Sequence, residues 1–152
     1  MKKSEKTNNC LIGNSGVHWV VSELSLRELI ALPTMRNTAG IDIVVTNQRG
    51  SWHANLQVKT SKKKVKFWPV GNRYKELKGK RNYYVFLRYL KDKSCFEAFL
   101  EVANKVVNQV DKENLKCRRQ GYKKWSPCWY LPKDNKQQFC LAKQWTDFGK
   151  RK

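Results

Sequence analysis

No apolar run in this chain approaches the ~20 residues that a membrane-spanning helix requires, and no signal-like hydrophobic segment follows its N-terminal lysines. A helical membrane protein or a secreted one is therefore not expected, and the reading is of a cytoplasmic protein. Soft metal ligands are also scarce. There are two histidines, His18 and His53, and five cysteines, Cys10, Cys95, Cys117, Cys128 and Cys140, never in C-x-x-C spacing. A structural zinc centre needs clustered thiolates and imidazoles, so none is expected, and the scattered cysteines read as reduced thiols. Acids are few as well: 12 Asp and Glu stand against 32 Lys and Arg, a net charge of +20. A surplus of that sign repels itself unless a polyanion binds it. With no membrane segment, nucleic acid is a better partner than an anionic lipid surface.

What is present suffices for one domain over residues 1–152, because a chain of 152 residues with 40% apolar residues can bury a core without staples. The first nine residues, MKKSEKTNN, are expected to fray. Residues 15–30, SGVHWVVSELSLRELI, read as a helix with one apolar stripe of Val17, Val20, Val21 and Leu24 and a second of Trp19, Leu26 and Ile30. Glu23 projects beside the second stripe, an acid next to apolar surface. Pro33 ends the helical pattern, and TMRNTAG loops back to Gly40.

Alternation of period two then begins, with Ile41, Ile43 and Val45 on one side and Asp42, Val44 and Thr46 on the other. NQRG, residues 47–50, supplies turn chemistry. In the return strand Trp52, Ala54, Leu56 and Val58 share a face opposite His53, Asn55, Gln57 and Lys59. A four-residue loop sets Thr46 against Ser51 and Asp42 against Asn55, with Gln57 on the diagonal. Asp42, Gln57 and Lys59 then share one face, which is either a solvated strand surface or a site. Farther on, NYYVFLRYL and CFEAFLEV read as paired strands, and residues 102–115 as a helix with Val102, Val106 and Val110 on one face. The tail has no assignment, and neither a repeat nor a second domain is visible.

An Asp opposite a strand that carries an amide oxygen, with a Lys two residues further along, suits phosphodiester hydrolysis. Hard divalent cations take oxygen ligands, and Asp42, the Gln57 amide and the Val58 carbonyl can offer them. Mg²⁺, or Mn²⁺ in its place, polarises a phosphate and activates bound water. Lys59 can orient that water or hold the phosphate.

Residues 13–61, with a glycine-led helix containing SEL, then ALPTMRNTAGIDIVV, then LQVKTS, resemble the PD-(D/E)xK nuclease superfamily. The resemblance is to its small single-domain members with Q-x-K, such as intron-encoded homing endonucleases. It implies an α/β fold with a restriction-endonuclease-like αβββαβ core, a mixed sheet flanked by helices, and Mg²⁺-dependent cleavage of DNA. It also implies that Asp42 is the metal-bridging acid, Gln57 the second ligand and Lys59 the catalytic lysine. Three positions depart from the pattern: Ile41 stands in place of proline, Gln57 in place of an acid, and Val17 where the helical Glu is often found. Glu23 is then the stand-in for the missing helical ligand.

The basic residues Lys62, Lys63, Lys64 and Lys66 follow Lys59 directly, with Phe67 and Trp68 beside them. They form the candidate DNA-tracking surface, since lysine and arginine contacts to phosphate supply most non-specific affinity. KCRRQGYKK, residues 116–124, is a second basic cluster, and Arg36, Asn37 and Thr38 in the loop before Asp42 are further candidates for DNA contact. The leading reading is a metal-dependent DNA endonuclease, a homodimer or homotetramer because one site per chain must be paired to cut both strands. The alternatives are a nuclease-fold DNA-binding module without catalysis and a basic RNA-binding protein.

Overall fold

The computed structural model describes residues 2–35 and 40–133, with side chains from residue 9 onward. Its elements, in chain order, are α1 (Lys2–Ser25), β1 (Leu29–Pro33), β2 (Ile43–Asn47), β3 (His53–Ser61), β4 (Phe67–Pro69), a 3₁₀ turn (Tyr74–Leu77), β5 (Asn82–Leu90), β6 (Cys95–Val102), α2 (Ala103–Arg119) and β7 (Cys128–Tyr130). Five strands make one sheet in the order β1-β2-β3-β5-β6, and β4 pairs with β7 in a separate ribbon. Every neighbour in the large sheet is antiparallel except β3 and β5. This is a mixed α/β fold, a sheet flanked by helices. Parallel neighbours need a crossover, and the chain builds it from β4 and the four-residue 3₁₀ turn instead of an α-helix.

α1 begins earlier than the sequence pattern indicates, at Lys2. It also ends earlier. Glu28 adopts φ 60, in the left-handed region that no α-helix continues. Leu26 and Ile30, expected on a second helical stripe, consequently lie outside the helix and are exposed, Ile30 within β1.

Each face of the sheet carries its own core. On one, α1 buries Val20 and Leu24 against Leu56, Val58, Val85 and Leu87. The helix can lie this close because residue 16 is glycine: a Cβ there would overlap Thr60 Oγ1 and press on Leu87. On the other face α2 buries Ala103, Val106, Val107 and Val110, spaced i, i+3, i+4, i+7, against Tyr84, Phe86 and Phe99. Val102, expected on that helical stripe, instead ends β6. β5 is buried on both sides, as NYYVFLRYL requires of a strand between two helical layers. Its Arg88 is buried too, with Nε donating to Glu97 Oε2 at 2.6 Å and Nη1 to the Val65 carbonyl at 2.9 Å. Among the described residues, no helix is long and apolar enough to cross a membrane.

Candidate active site

The hairpin turn fixes the site. Asn47 Oδ1 accepts from the Ser51 amide at 3.0 Å, and Asn47 Nδ2 donates to Ser51 Oγ at 2.9 Å. Gly50, at φ 68, closes the turn by donating to the Asn47 carbonyl. Ser51 is thus used inside the turn, and the ladder starts later than the four-residue loop implies, with Thr46 opposite His53, Val44 opposite Asn55 and Ile43 opposite Leu56. The slip is two residues, and a slip by an even number leaves every side chain on its face. Gln57 and Lys59 share a face as expected, but Ile41, expected on the side of Ile43 and Val45, packs against the α2-side core instead. The ladder itself stops at Ile43 opposite Leu56, and Asp42 lies in a bend just before β2.

Asp42 sits where β2 peels away from β3. Its amide still donates to the Leu56 carbonyl at 2.8 Å, and its carbonyl accepts from the Thr34 amide at 2.9 Å. The next ladder donor on β3, the Val58 amide, meets the Asp42 carboxylate, donating to Oδ2 at 2.7 Å. Among the described residues no donor meets the other oxygen, Oδ1. A strand residue directs its N–H and C=O to the same neighbour, so the Val58 carbonyl also faces the Asp42 side, past the end of β2. The carboxylate and the Val58 main chain therefore meet at one strand end.

The electrostatics are strained in a consistent sense. Burial pushes the Asp42 carboxyl above its ordinary value, opposed by the Val58 hydrogen bond and by the charge of Lys59. Burial pushes the Lys59 ammonium below its ordinary value, opposed by the charge of Asp42. Each group supports the other's charge, and in each case desolvation is the larger effect. A further positive ligand at Asp42 would reverse that balance for the carboxylate.

Gln57 and Lys59 open onto a cleft of about 300 Å³ whose far wall includes Gly71, Arg73, Glu76 and Leu77. Asn82 ties that wall to β3, donating from Nδ2 to the Leu77 carbonyl at 2.9 Å while its Oδ1 accepts from Asn55 Nδ2 at 2.9 Å. Glu76 is held by Arg73, whose hydrogen bond keeps its carboxyl below the ordinary range. The sequence reading missed Arg73 and Glu76. They lie far beyond Q-x-K in an unremarkable RYKEL, and only the crossover brings them to the cleft.

Glu23 does not join this group. It lies on α1, which packs against the opposite face of β3, and its Oε2 accepts from Arg27 Nη1 at 2.8 Å. Val17, the other helix position at issue, packs against the α1-side core. Trp68 requires a correction too. It is buried at 2% exposure, donates from Nε1 to the Leu87 carbonyl at 2.9 Å, and packs on Phe86, Phe99 and Trp129, so no nucleic acid can reach its ring. Lys62, Lys63, Lys64 and Lys66 are all exposed on the segment that leaves β3, which Arg88 anchors at Val65. Arg36 and Asn37 lie outside the described residues. Among the described residues no group of three His, Cys, Asp or Glu comes together.

No protein-family model matches the chain, and no curated protein matches it. Among solved structures the chain is similar to that of a bacterial homing endonuclease, I-Ssp6803I, with 15% identity, a TM-score of 0.45, and coverage of 84% of this chain and 78% of that one.

Proposed function

We propose that this protein is a divalent-metal-dependent DNA endonuclease of the PD-(D/E)xK type. The observation that carries the reading is the meeting of Asp42 and Lys59 at one end of β3: the Val58 amide donates to the Asp42 carboxylate, each half-buried charge acts on the other, and Lys59 and Gln57 open onto a cleft. On a solvated strand face, Asp and Lys would keep their charges at no desolvation cost. Here the desolvation is a standing cost, which a ligand can offset.

The donor set suits a hard cation. Asp42, the Gln57 amide oxygen and the Val58 carbonyl would hold Mg²⁺ or Mn²⁺, for which one or two carboxylates plus substrate phosphate oxygens suffice. The bound ion would lower the pKa of a water and offset charge on the phosphate. The chain's own residues supply the rest. Lys59 donates to the attacking water or to a phosphate oxygen, and its depressed pKa brings proton exchange closer to neutral pH. Gln57 contributes no charge, so the ion is held less tightly than between two carboxylates. The exposed lysines 62, 63, 64 and 66 continue from Lys59 and take the flanking phosphates. Cleavage of both strands calls for two copies, a homodimer or homotetramer, and the setting is cytoplasmic.

A second reading, a DNA-binding module that has lost catalysis, draws on the absence, among the described residues, of any group of three His, Cys, Asp or Glu, and on the place of α1's Glu23 on the reverse face of the sheet. One experiment separates the two. Wild type, Asp42→Asn and Lys59→Ala are incubated with supercoiled plasmid in Mg²⁺, Mn²⁺ or EDTA, and nicking and binding are scored on the same samples. Wild-type nicking with either metal, lost in EDTA and in both variants while binding persists, is the expected result. Binding without nicking under every condition would leave the non-catalytic module, and nicking that survives both substitutions would remove this site from the reaction.

A further inference from the structure

We infer that the ribbon of β4 and β7 is a base-contacting arm of the DNA-binding surface, with Phe67 and Tyr130 as its contact residues. The inference rests on the DNA-binding part of the proposed function. In the ribbon Phe67 pairs with Tyr130, Trp68 with Trp129 and Pro69 with Cys128. Opposed residues share a face, and the two faces could hardly differ more. Trp68 and Trp129 are 2% and 3% exposed and lock into the α2-side core, Trp129 stacking on Phe86 with ring centroids 4.1 Å apart. Phe67 and Tyr130 are 47% and 46% exposed, with their ring centroids 5.8 Å apart.

Two aromatic rings side by side in water are an unfavourable surface unless something covers them. Three features indicate a nucleic acid. The pair is flanked by cations, because Lys66 precedes Phe67 and the exposed Lys62, Lys63 and Lys64 lie on the same short segment. The ribbon is continuous with the candidate active site, since β4 leads from the lysines after β3 directly into Val70 and Gly71 of the cleft wall. It is also rigidly mounted: the Leu131 amide donates to the Lys66 carbonyl at 2.8 Å, the Val70 amide to the Pro127 carbonyl at 2.9 Å, and Gln109 Nε2 to the Tyr130 carbonyl at 3.0 Å. Rings held in place next to phosphate-seeking lysines suit stacking on, or wedging against, nucleobases, an interaction that tolerates any sequence because every base has a π-face. A second copy of a chain at +20 is disfavoured at this spot by its own lysines.

The test is the double variant Phe67→Ala/Tyr130→Ala, with Phe67→Tyr/Tyr130→Phe as the ring-preserving control. Binding to a fluorescein-labelled mixed-sequence DNA, duplex and single-stranded, is measured in EDTA across a salt series, with circular dichroism to verify folding and sedimentation to follow oligomeric state. The alanine variant should bind about tenfold or more weakly with an unchanged slope of log Kd against log salt, and the control should bind as wild type. Lys62→Ala/Lys63→Ala/Lys64→Ala should instead flatten the slope. An alanine variant with wild-type affinity overturns the arm while DNA binding stands. Dissociation of wild-type oligomers by the alanine pair, without loss of per-chain affinity, overturns it in favour of a self-association face. Absence of DNA binding by the wild type overturns the functional reading itself.

Discussion

The two faces of β3 have the same length and the same neighbours, yet opposite chemistry. Ala54, Leu56, Val58 and Thr60 lie under α1, in an apolar layer where the main polar oddity is the Thr60 hydroxyl, buried beneath Gly16 with no hydrogen-bond partner among the described residues. Asn55, Gln57 and Lys59 turn the other way, and at Lys59 the surroundings push an ammonium toward neutrality. One face builds stability and the other stores unfavourable electrostatics. Proteins keep such costs where chemistry needs them. The difference teaches that the site is carried by a strand whose stability comes from its reverse side, so the two can be broken separately.

The largest separation is expected between Lys59→Ala and Leu56→Ala. Lys59→Ala removes a half-exposed group from the chemical face, and cleavage should fall by about 10²-fold or more with a urea midpoint close to wild type. Leu56, with no exposure, sits in the layer under α1. Its truncation should cost about 2–5 kcal/mol, while the specific activity of the folded fraction stays near wild type. Equal loss of stability from both substitutions would mean that β3 cannot be divided into two faces.

Next in size is Gly16→Ala. The added methyl must displace Thr60 and Leu87 or lift α1 from the sheet, and overpacking of this kind costs about 1–3 kcal/mol. Chemical denaturation measures it, and Thr60→Ala in the same background should recover part of the loss by removing the hydroxyl that the added methyl meets. A neutral Gly16→Ala would mean that α1 has room to shift.

A smaller effect concerns pH. Asp42's folded pKa is raised above its unfolded value of 3.8, so its contribution to stability is fully present below 3.8 and lost as pH rises through the folded value. Lys59's folded pKa is lowered beneath 10.5, so its contribution is present above 10.5 and lost as pH falls through the folded value. Between those two limits the doubly charged state is the least favourable to the fold. Wild type should therefore lose melting temperature relative to Asp42→Asn as pH rises from 3.8 toward neutrality, since the variant's side-chain oxygen can still accept from the Val58 amide but carries no charge. Parallel profiles for the two proteins would show that Asp42 is not desolvated.

How much of this was legible in the sequence follows from the same geometry. Period-two alternation set Ile43, Val45, Ala54, Leu56 and Val58 on one face and Gln57 and Lys59 on the other, and an error of two residues in the turn could not damage that assignment, because parity survives an even slip; it failed at Ile41, which lies before the ladder begins and packs on the α2 side instead of with Ile43. What alternation does not encode is the turn itself. The bonding of Asn47 to Ser51 decided where the ladder begins. Phe67 and Trp68 were equivalent in sequence, neighbours in a basic stretch. Only the pairing of β4 with β7, far along the chain on a segment with no readable pattern, made one a core residue and the other a surface ring. Glu76 was invisible for a related reason: the crossover that brings it to the cleft replaces an α-helix by a 3₁₀ turn, and four residues carry no periodicity.

The smallest expected effect is also the sharpest check on the helix. Reading residues 15–30 as one continuous helix put Glu23 beside Trp19, Leu26 and Ile30 and made it the candidate replacement for a helical metal ligand. The helix ends at Ser25 instead, Leu26 and Ile30 are exposed, and Glu23 is engaged four residues on by Arg27, whose Nη1 also reaches the Glu23 carbonyl at 2.6 Å. The pair's side chains are 24% and 23% exposed, in the range where an i,i+4 ion pair contributes about 0.3–0.5 kcal/mol. Glu23→Gln should therefore shift stability by no more than about 0.5 kcal/mol and leave both the Mg²⁺ dependence and the rate of cleavage unchanged, since it sits on the reverse face of the sheet from Lys59. Isothermal titration with Mn²⁺ supplies a readout independent of turnover, and Glu23→Gln should titrate as wild type while Asp42→Asn should not. Weakened metal binding in Glu23→Gln would mean that α1 reaches around the end of the sheet on loading, and that the two faces of β3 are coupled at the point where this structure keeps them apart.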